Sequence, residues 1–373
     1  MFPAPQKSWP FYAKLALVLF SLIALCYSAV VLKEVLSPLL FSLLFSIVLL
    51  PVTGFFERKL KLPGGLAAGL SVTLLLAVLV LVFYILGSQM KELAKDWPLF
   101  EQQINSSLTN FQQWVEKTLD VNIKEQRAYV DKATSEVISS STTVIGATVV
   151  SLSSILLFVV FAMIYTFFLL LYRRLILKFL IAVFKEENSV TVYDVVEQVQ
   201  YIVRKYILGL VFEMLIVAAA FCIVFLLLGI KYAILLGLIA GIFNLIPYIG
   251  IFTSMALSAF ITFATGAEAS TVLFVVITYI GIHLVDSNLL LPLIVGSKVR
   301  INALVTVLGV VLGEMIWGIS GMFLSIPVIA ISKIIFDRVD SLKPWGMLLG
   351  EESENKPKSK KRIIAEAEIR KPD

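Results

Sequence analysis

The sequence predicts an all-α polytopic membrane protein with about six transmembrane helices and two re-entrant helical hairpins. Hydrophobic residues make up 59% of the 373-residue chain and charged residues only 15%, and the mean hydropathy is +0.94. An average soluble domain carries about 25% charged residues, so this much apolar surface needs lipid around it. The composition excludes a soluble enzyme, a nucleic-acid-binding protein and a secreted disulfide scaffold. The net charge of +5 comes from basic residues beside apolar runs, not from one patch.

Three apolar runs, each long enough to cross a bilayer, occupy residues 1–87. They are Leu15–Leu32, Val35–Phe56 and a third that opens at Pro63-Gly64-Gly65 and ends near Gly87. The second run follows the first after only two charged residues, so we interpret the pair as a membrane hairpin rather than a signal peptide. We expect residues 1–87 to form three membrane spans.

The middle of the chain changes character twice. Residues 88–147 carry six Lys/Arg and eight Asp/Glu, and their apolar residues recur every three or four positions. This pattern predicts an extracytoplasmic amphipathic helical segment. Residues 148–205 are expected to form a fourth span, over about 148–172, and an interfacial amphipathic helix over 175–205.

The expected transport core, residues 206–340, begins with a fifth span over about 206–229. A further span covers 270–294, and two longer apolar stretches cover 231–265 and 301–336. A straight helix of 36 residues would be about 54 Å long, whereas the hydrocarbon core is about 30 Å thick. Both long stretches contain glycine and proline near the middle, so each is either one broken helix or a re-entrant hairpin.

Charge favours hairpins. With a cytoplasmic N-terminus, single crossings of 231–265 would place Lys298 and Arg300 outside, against the positive-inside rule. Hairpins place both residues in the cytoplasm, and Lys231 is then the one short-loop exception. The polar and basic tail, residues 341–373, also becomes cytoplasmic, where it would attract anionic lipids.

The two long stretches share an internal repeat. Ile239–Ile249 matches Ile319–Ile329 at an offset of 80 residues, with the pattern I-[AS]-G-[IM]-F-x-x-I-P-x-I. Because each copy is preceded by a span and these two spans run in opposite directions, the pattern indicates an inverted-topology repeat, which is typical of secondary transporters.

These motifs also carry a family resemblance. The segments Asn244–Gly250, Asp286-Ser287-Asn288 and Gly318–Pro327 resemble the autoinducer-2 exporter family of bacterial membrane proteins, over about residues 10–340. The chain departs from the family at Ile251, where many members have proline, and at Asp286, where glutamate is common. The resemblance implies an inner-membrane homo-oligomer of five subunits that exports a small polar molecule by an elevator-like motion. Some relatives resemble Na⁺(Li⁺)/H⁺ antiporters instead.

Half-helix ends leave main-chain groups without intrahelical partners, and these groups can bind a polar solute. The candidate solute-binding residues are Asn244, Pro247, Tyr248, Gly250, Ser320, Gly321, Ser325 and Pro327. Ionisable residues inside apolar spans are costly and usually functional. The candidate proton- or ion-coupling residues are Glu213, His283, Asp286 and Glu314. In each case the alternative is a purely structural role.

Three functions remain open at this point, two of them transport activities and the third from another class. They are export of an autoinducer-2-like solute, monovalent cation/proton antiport, and a non-transporting membrane scaffold that acts through 88–147. A protease is disfavoured although Gly318-Ile319-Ser320-Gly321 matches a G-x-S-G motif, because the only histidine, His283, precedes that serine. We expect no enzymatic activity, cofactor, metal or nucleic-acid partner.

Overall fold

The computed structural model describes residues 10–100, 102–103, 106, 109, 153–184, 189–247, 249–294 and 301–351. Within these residues the regular structure is helical, apart from an isolated antiparallel bridge between Ile301 and Gly350. The predicted all-α polytopic class is confirmed. Most of segment 88–147, the loop with Lys298 and Arg300, and the basic tail lie outside the described residues.

Among the described residues, seven helices are long and apolar enough to cross a membrane. They are α1 (Phe11–Val31), α2 (Lys33–Arg58), α3 (Gly64–Lys95), α4 (Ser153–Leu171), α6 (Ser189–Leu227), α9 (Ala269–Ile294) and α11 (Ile319–Arg338). The shorter helices are α5 (Arg173–Val183), α7 (Ala233–Phe243), α8 (Ile249–Ala264), α10 (Ala303–Trp317) and α12 (Lys343–Leu349). Six of the seven long helices correspond to the six predicted spans, and α11 is the seventh.

Helices α2 and α3 pack through small side chains. Thr53 on α2 donates a hydrogen bond of 2.9 Å to Ser71 on α3, and Ser71 donates to the carbonyl of Ala67. All three residues are fully buried. Small hydroxyl and methyl side chains let helix backbones approach closely, which is the usual way that membrane helices associate.

The long helix α6 lies at the centre of the molecule. Its 39 residues extend over about 58 Å, and it contacts α2, α5, α7, α9 and α11. The predicted interfacial helix over 175–205 is wrong in extent, because 189–205 is the first half of α6. The apolar pattern of that region reflects packing of Val203 and its neighbours into a core cluster, not a separate surface helix.

The stretch 231–265 forms a first helix pair, α7 and α8. Helix α7 runs antiparallel to α6, and a Cβ added at Gly241 would lie 2.6 Å from the Cβ of Ala218. The 11 residues of α7 span only about 16 Å. The helix ends at Phe243, and the chain turns through 244–247 before α8 begins at Ile249.

The stretch 301–336 forms a second helix pair, α10 and α11, which are antiparallel. The chain reverses at Gly318, whose φ of +63° lies in the left-handed region that favours glycine. Of the glycine and proline residues expected to break this stretch, Gly318 marks the reversal, whereas Pro327 lies inside α11 and does not end it. The turn is anchored by Trp317, whose Nε1 donates 2.9 Å to the carbonyl of Ala29 at the end of α1.

We expect Gly321→Ala to destabilise the second helix pair. An added methyl at Gly321 would collide with the backbone of Gly313 on α10, which cannot move away as a flexible side chain would. We expect a loss of about 1–3 kcal/mol, which is typical of overpacking. Thermal unfolding of the purified variant and of the unmodified protein in detergent measures this loss of stability.

The matched control is Gly281→Ala on α9, where an added methyl meets no atom within 4 Å among the described residues. Alanine is the better helix former there, so stability should stay equal or rise by up to about 1 kcal/mol. Equal unfolding temperatures for both variants would contradict a tight crossing at Gly321.

Candidate functional site

The most unusual polar arrangement lies where the first helix pair is broken. The side-chain amide of Asn244 donates one hydrogen bond of 3.3 Å to Oε1 of Glu213 and one of 3.2 Å to Oδ2 of Asp286. The two acidic residues are only 4% and 6% exposed. We call these three residues the carboxylate–amide cluster. Glu213 and Asp286, which are 31 and 42 positions from Asn244 in the sequence, are thus both hydrogen-bonded to its side-chain NH₂ group.

Three helices place these side chains. Glu213 lies in the apolar part of α6, and Asn244 is the C-cap of α7. Asp286 opens a π-helical turn, Asp286–Leu290, within α9. Such turns are rare and occur frequently at functional sites, because the wider turn shifts the register of the side chains that follow.

The break that frees Asn244 has a local cause. Pro247 has no N–H and cannot continue the hydrogen-bond ladder of α7. The N–H of Ile249 bonds to the carbonyl of Pro247 at 2.7 Å, which closes a tight turn. Gly250 then lies against the carbonyl of Phe243 so closely that a Cβ has no room. The sequence N-x-x-P-x-x-G therefore sets both the end of α7 and the return of the chain.

Each carboxylate keeps one unsatisfied oxygen. Among the described residues, Glu213 Oε2 and Asp286 Oδ1 are buried without a hydrogen-bond partner. An amide offers only two N–H groups, and Asn244 uses one on each carboxylate. A buried charge without sufficient partners is strongly unfavourable, so this arrangement suits a proton or a cation held between the two groups.

A small cavity adjoins the cluster. Its volume of 10 Å³ is about what one water molecule needs. The lining residues are Val217, Phe221, Ala240, Asn244, Ile251, Ser254, Tyr279, Ile282, His283 and Asp286. In this conformation the cavity therefore has room for a water or an ion, and not for an organic solute.

The neighbours on α9 are divided between core and surface. Tyr279 is 1% exposed and its hydroxyl lies 2.9 Å from the hydroxyl of Ser258 on α8. His283 borders the cavity but is exposed, and its ring lies 3.3 Å from the hydroxyl of Ser287. Tyr279, His283 and Asp286 are at positions i, i+4 and i+7 along α9, so they share one helix face, on which Tyr279 and Asp286 are buried and His283 lies at the edge.

The other described site residues lie on the second helix pair. Ser320, Gly321, Ser325 and Pro327 all lie on α11, and Ser325 bonds locally to the carbonyl of Met322 at 2.7 Å. Glu314 on α10 is exposed. Tyr248 lies outside the described residues. The two helix pairs are nevertheless neighbours, because Leu245 and Leu324 pack in one core cluster with Leu210, one turn from Glu213.

Sequence reasoning missed a second polar junction, which lies just beyond the C-terminal end of α6. Lys231 pairs with Asp96 at 2.5 Å, and the Tyr232 hydroxyl donates to the same carboxylate. The residue after α3 thereby joins the start of α7. Lys231, the one exception to the positive-inside rule, could have indicated this junction from the sequence. An exposed cation at the end of a span favours an acidic partner on the same side of the membrane.

These contacts fix the ionisation of the junction. Hydrogen bonds from Lys231 and Tyr232 hold the pKa of Asp96 below its usual value, and Asp96 raises the pKa of Lys231. Because the pKa of Asp96 is lower in the folded chain than in the unfolded chain, its ionisation stabilises the fold at any pH above the unfolded pKa of about 3.9. This stabilisation is lost as the pH falls towards the lowered pKa. The pair is therefore ionised throughout the neutral range.

A polytopic helical protein with broken helices and a buried pair of carboxylates has the features of a membrane transporter. Comparison with known proteins agrees, because the profile described as AI-2E family transporter matches residues 19–341. The chain belongs to this family, and the predicted resemblance is confirmed.

Its relatives carry transport names. The chain is 26% identical to a Bacillus subtilis protein provisionally named transport protein YrrI, over 82% of this chain and 86% of the relative. It is 25% identical to AI-2 transport protein TqsA of Escherichia coli, over 85% of this chain and 90% of TqsA. A third relative, provisionally named transport protein YhhT of Escherichia coli, is 23% identical over 96% of this chain and 98% of YhhT.

The two repeat prolines are expected to differ in importance. Pro247→Ala allows α7 to continue through Asn244 and should lower the transport rate sharply, because the amide would leave the two carboxylates. Pro327→Ala should have a smaller effect, since α11 is already continuous there. The measurement is solute or ion flux per reconstituted protein.

Pro51→Ala is the control, because Pro51 lies within α2 and has no repeat partner. Its flux should stay near that of the unmodified chain. If all three variants lost flux equally, the break at 244–247 would have no special role.

Proposed function

We propose that this chain carries a small polar solute across the membrane, and that the carboxylate–amide cluster couples this movement to a proton or a monovalent cation. Family membership supports transport as the general activity. The observation that carries the coupling role is the pair of buried carboxylates that share one amide and keep one unsatisfied oxygen each.

The physical argument concerns charge. Two ionised carboxylates on the same amide repel each other, and burial removes the water that would screen them. Binding of a proton or a cation removes that repulsion and supplies a partner for the unsatisfied oxygens. Loss of the ion restores the repulsion and favours separation of α6, α7 and α9. Ion occupancy can therefore change the relative stability of two arrangements of these helices.

We propose an autoinducer-2-like signal as the solute and export as the direction. The name of the relative TqsA, an AI-2 transport protein, supports this solute class. The second candidate is Na⁺(Li⁺)/H⁺ antiport without an organic solute. It is favoured by the size of the cavity beside Asp286, which suits an ion or a water.

We further propose that α7–α8 and α10–α11 are re-entrant hairpins that move in an elevator-like manner. For the first pair, both ends lie beside the segment that follows α3. Lys231 pairs with Asp96, and a Cβ added at Gly266 would lie 3.8 Å from Oε1 of Gln103. Helices of 11 and 16 residues that begin and end at the same side are consistent with a hairpin that does not cross.

We also propose a homo-oligomer in the bacterial inner membrane, with both termini in the cytoplasm. None of the α1 residues whose side chains the structure describes is buried. The apolar surface of α1 therefore contacts lipid or other subunits, which suits an oligomer built around the transport core. The expected domain boundaries at 147 and 340 are part of the same proposal, whereas the expected boundaries at 87 and 205 fall inside α3 and α6.

The coupling role is tested with Glu213→Gln and Asp286→Asn in proteoliposomes. Each variant keeps the size of the side chain and removes one charge. We expect cation-driven proton flux, followed with a pH-sensitive dye, to fall to the level of protein-free liposomes. Glu314→Gln, the exposed acid on α10, is the matched control and should keep the original flux.

The outcomes also separate the alternatives. Solute flux without ion exchange in the unmodified protein would contradict coupling, and ion exchange without any solute flux would favour the antiporter. If the unmodified protein showed no flux of solute or ion, and its cellular role were lost only when residues 88–147 were deleted, the non-transporting scaffold would be favoured.

The elevator-like motion is tested by cross-linking Asp96→Cys to Lys231→Cys with a cleavable bifunctional thiol reagent. Cys26 and Cys222 are first replaced by serine. We expect cross-linking to stop transport and cleavage to restore it, because the first helix pair would be tied to the end of α3.

The control pair is Glu57→Cys with Arg173→Cys, which joins α2 to α5 through a contact of 2.5 Å. It lies among the helices proposed to stay fixed, so its cross-link should leave transport unchanged. Undiminished transport with the Asp96–Lys231 cross-link in place would show that this helix pair stays still relative to α3.

A further inference from the structure

Exposed basic residues gather where three membrane spans end. Arg173 pairs with Glu57 at 2.5 Å, which joins the start of α5 to the end of α2. A Cβ added at Gly65, near the start of α3, would lie 3.9 Å from Leu171 at the end of α4. Five exposed cations belong to this corner, and we call them the span-end basic patch: Arg58, Lys59, Lys61, Arg174 and Lys178.

The patch carries surplus positive charge. Glu57, the acidic residue at this corner, is already occupied by Arg173. Among the described residues, none of the five patch cations forms an ion pair within 4 Å, and Lys59 instead lies over the ring of Phe55 at 5.3 Å. Two segments more than 100 residues apart in sequence thus supply positive charges that have no ion-pair partner within the described part of the chain, which suits an anionic ligand.

Helix α5 adds an apolar face beside these charges. Arg174 and Lys178 are four residues apart and share one face of the helix. On another face, Phe179 and Val183 are 63% and 60% exposed. Because α5 directly follows the membrane-competent helix α4, this exposed apolar face lies at the boundary of the bilayer.

We propose that the span-end basic patch binds the headgroup of an acidic phospholipid, with its acyl chains along the exposed face of α5. A phosphodiester supplies the negative charge that the patch lacks, and cations next to the membrane surface attract anionic lipid. The apolar face is what distinguishes a lipid from a free phosphate, because only the lipid also covers Phe179 and Val183. This site is separate from the carboxylate–amide cluster and does not depend on the transported solute.

The test measures binding of phosphatidylglycerol to the full chain in neutral detergent by native mass spectrometry, with phosphatidylcholine as the reference lipid. The patch variant is Arg58→Gln/Arg174→Gln/Lys178→Gln, which leaves the Arg173–Glu57 pair intact. We expect it to bind phosphatidylglycerol at least about tenfold more weakly. The control variant, Lys33→Gln/Lys91→Gln/Lys95→Gln, removes the same charge at the opposite span ends and should bind as the unmodified chain does.

Two further arms keep the result decisive. Arg58→Lys/Arg174→Lys retains the charges and should bind phosphatidylglycerol as the unmodified chain does, because the proposal depends on the positive charge of these side chains. Millimolar inorganic phosphate should fail to displace the lipid. Equal phosphatidylglycerol binding by the patch and control variants would overturn the proposal, and displacement by inorganic phosphate would show a free-anion site instead.

Discussion

The side-chain amide of Asn244 is the group on which the arrangement of the transport core depends. It is the hydrogen-bond donor that the structure gives to two buried carboxylates, one on α6 and one on α9. A carboxylate in an apolar interior is costly unless it is hydrogen-bonded, protonated or paired with a cation. The end of α7 therefore has to lie between α6 and α9. The break that ends α7 at Phe243 is needed for the cluster, because it places Asn244 beside both carboxylates.

The two copies of the internal repeat use the same residues in different ways. Gly241 lets α7 approach α6, whereas Gly321 lets α11 approach its own neighbour α10. Pro247 stands in a turn between two helices, whereas Pro327 stands inside one. In the second copy Leu324 occupies the position of Asn244, so it contributes to the core cluster around Leu210 instead of to a polar site. The repeat therefore provides two helix pairs, but only one of them carries the amide.

Charges at the ends of the spans join helices that are distant in sequence. Glu57 and Arg173 connect α2 to α5, and Asp96 connects α3 to the turn between α6 and α7. Both pairs are partly exposed, so each contributes little stability by itself. Their importance is positional, because they fix which helix ends lie side by side. The Asp96 pair also gives Lys231 a partner, which accounts for the one short-loop charge that opposed the predicted topology.

The sequence by itself determined the class of protein and the position of nearly every span. An apolar run of about 18 residues has few alternatives to a membrane helix, because lipid offers no hydrogen bonds to an open backbone. The sequence also identified Glu213 and Asp286 as candidates, since ionisable groups are rare inside such runs, and Asn244, since it lies at an expected helix break. Only the tertiary structure decided that these three meet, that α11 passes through Pro327 and that 189–205 belongs to α6. Periodicity reports which face of a helix is apolar, whereas contacts between residues 31 to 136 positions apart depend on how whole helices pack, and no local pattern encodes that packing.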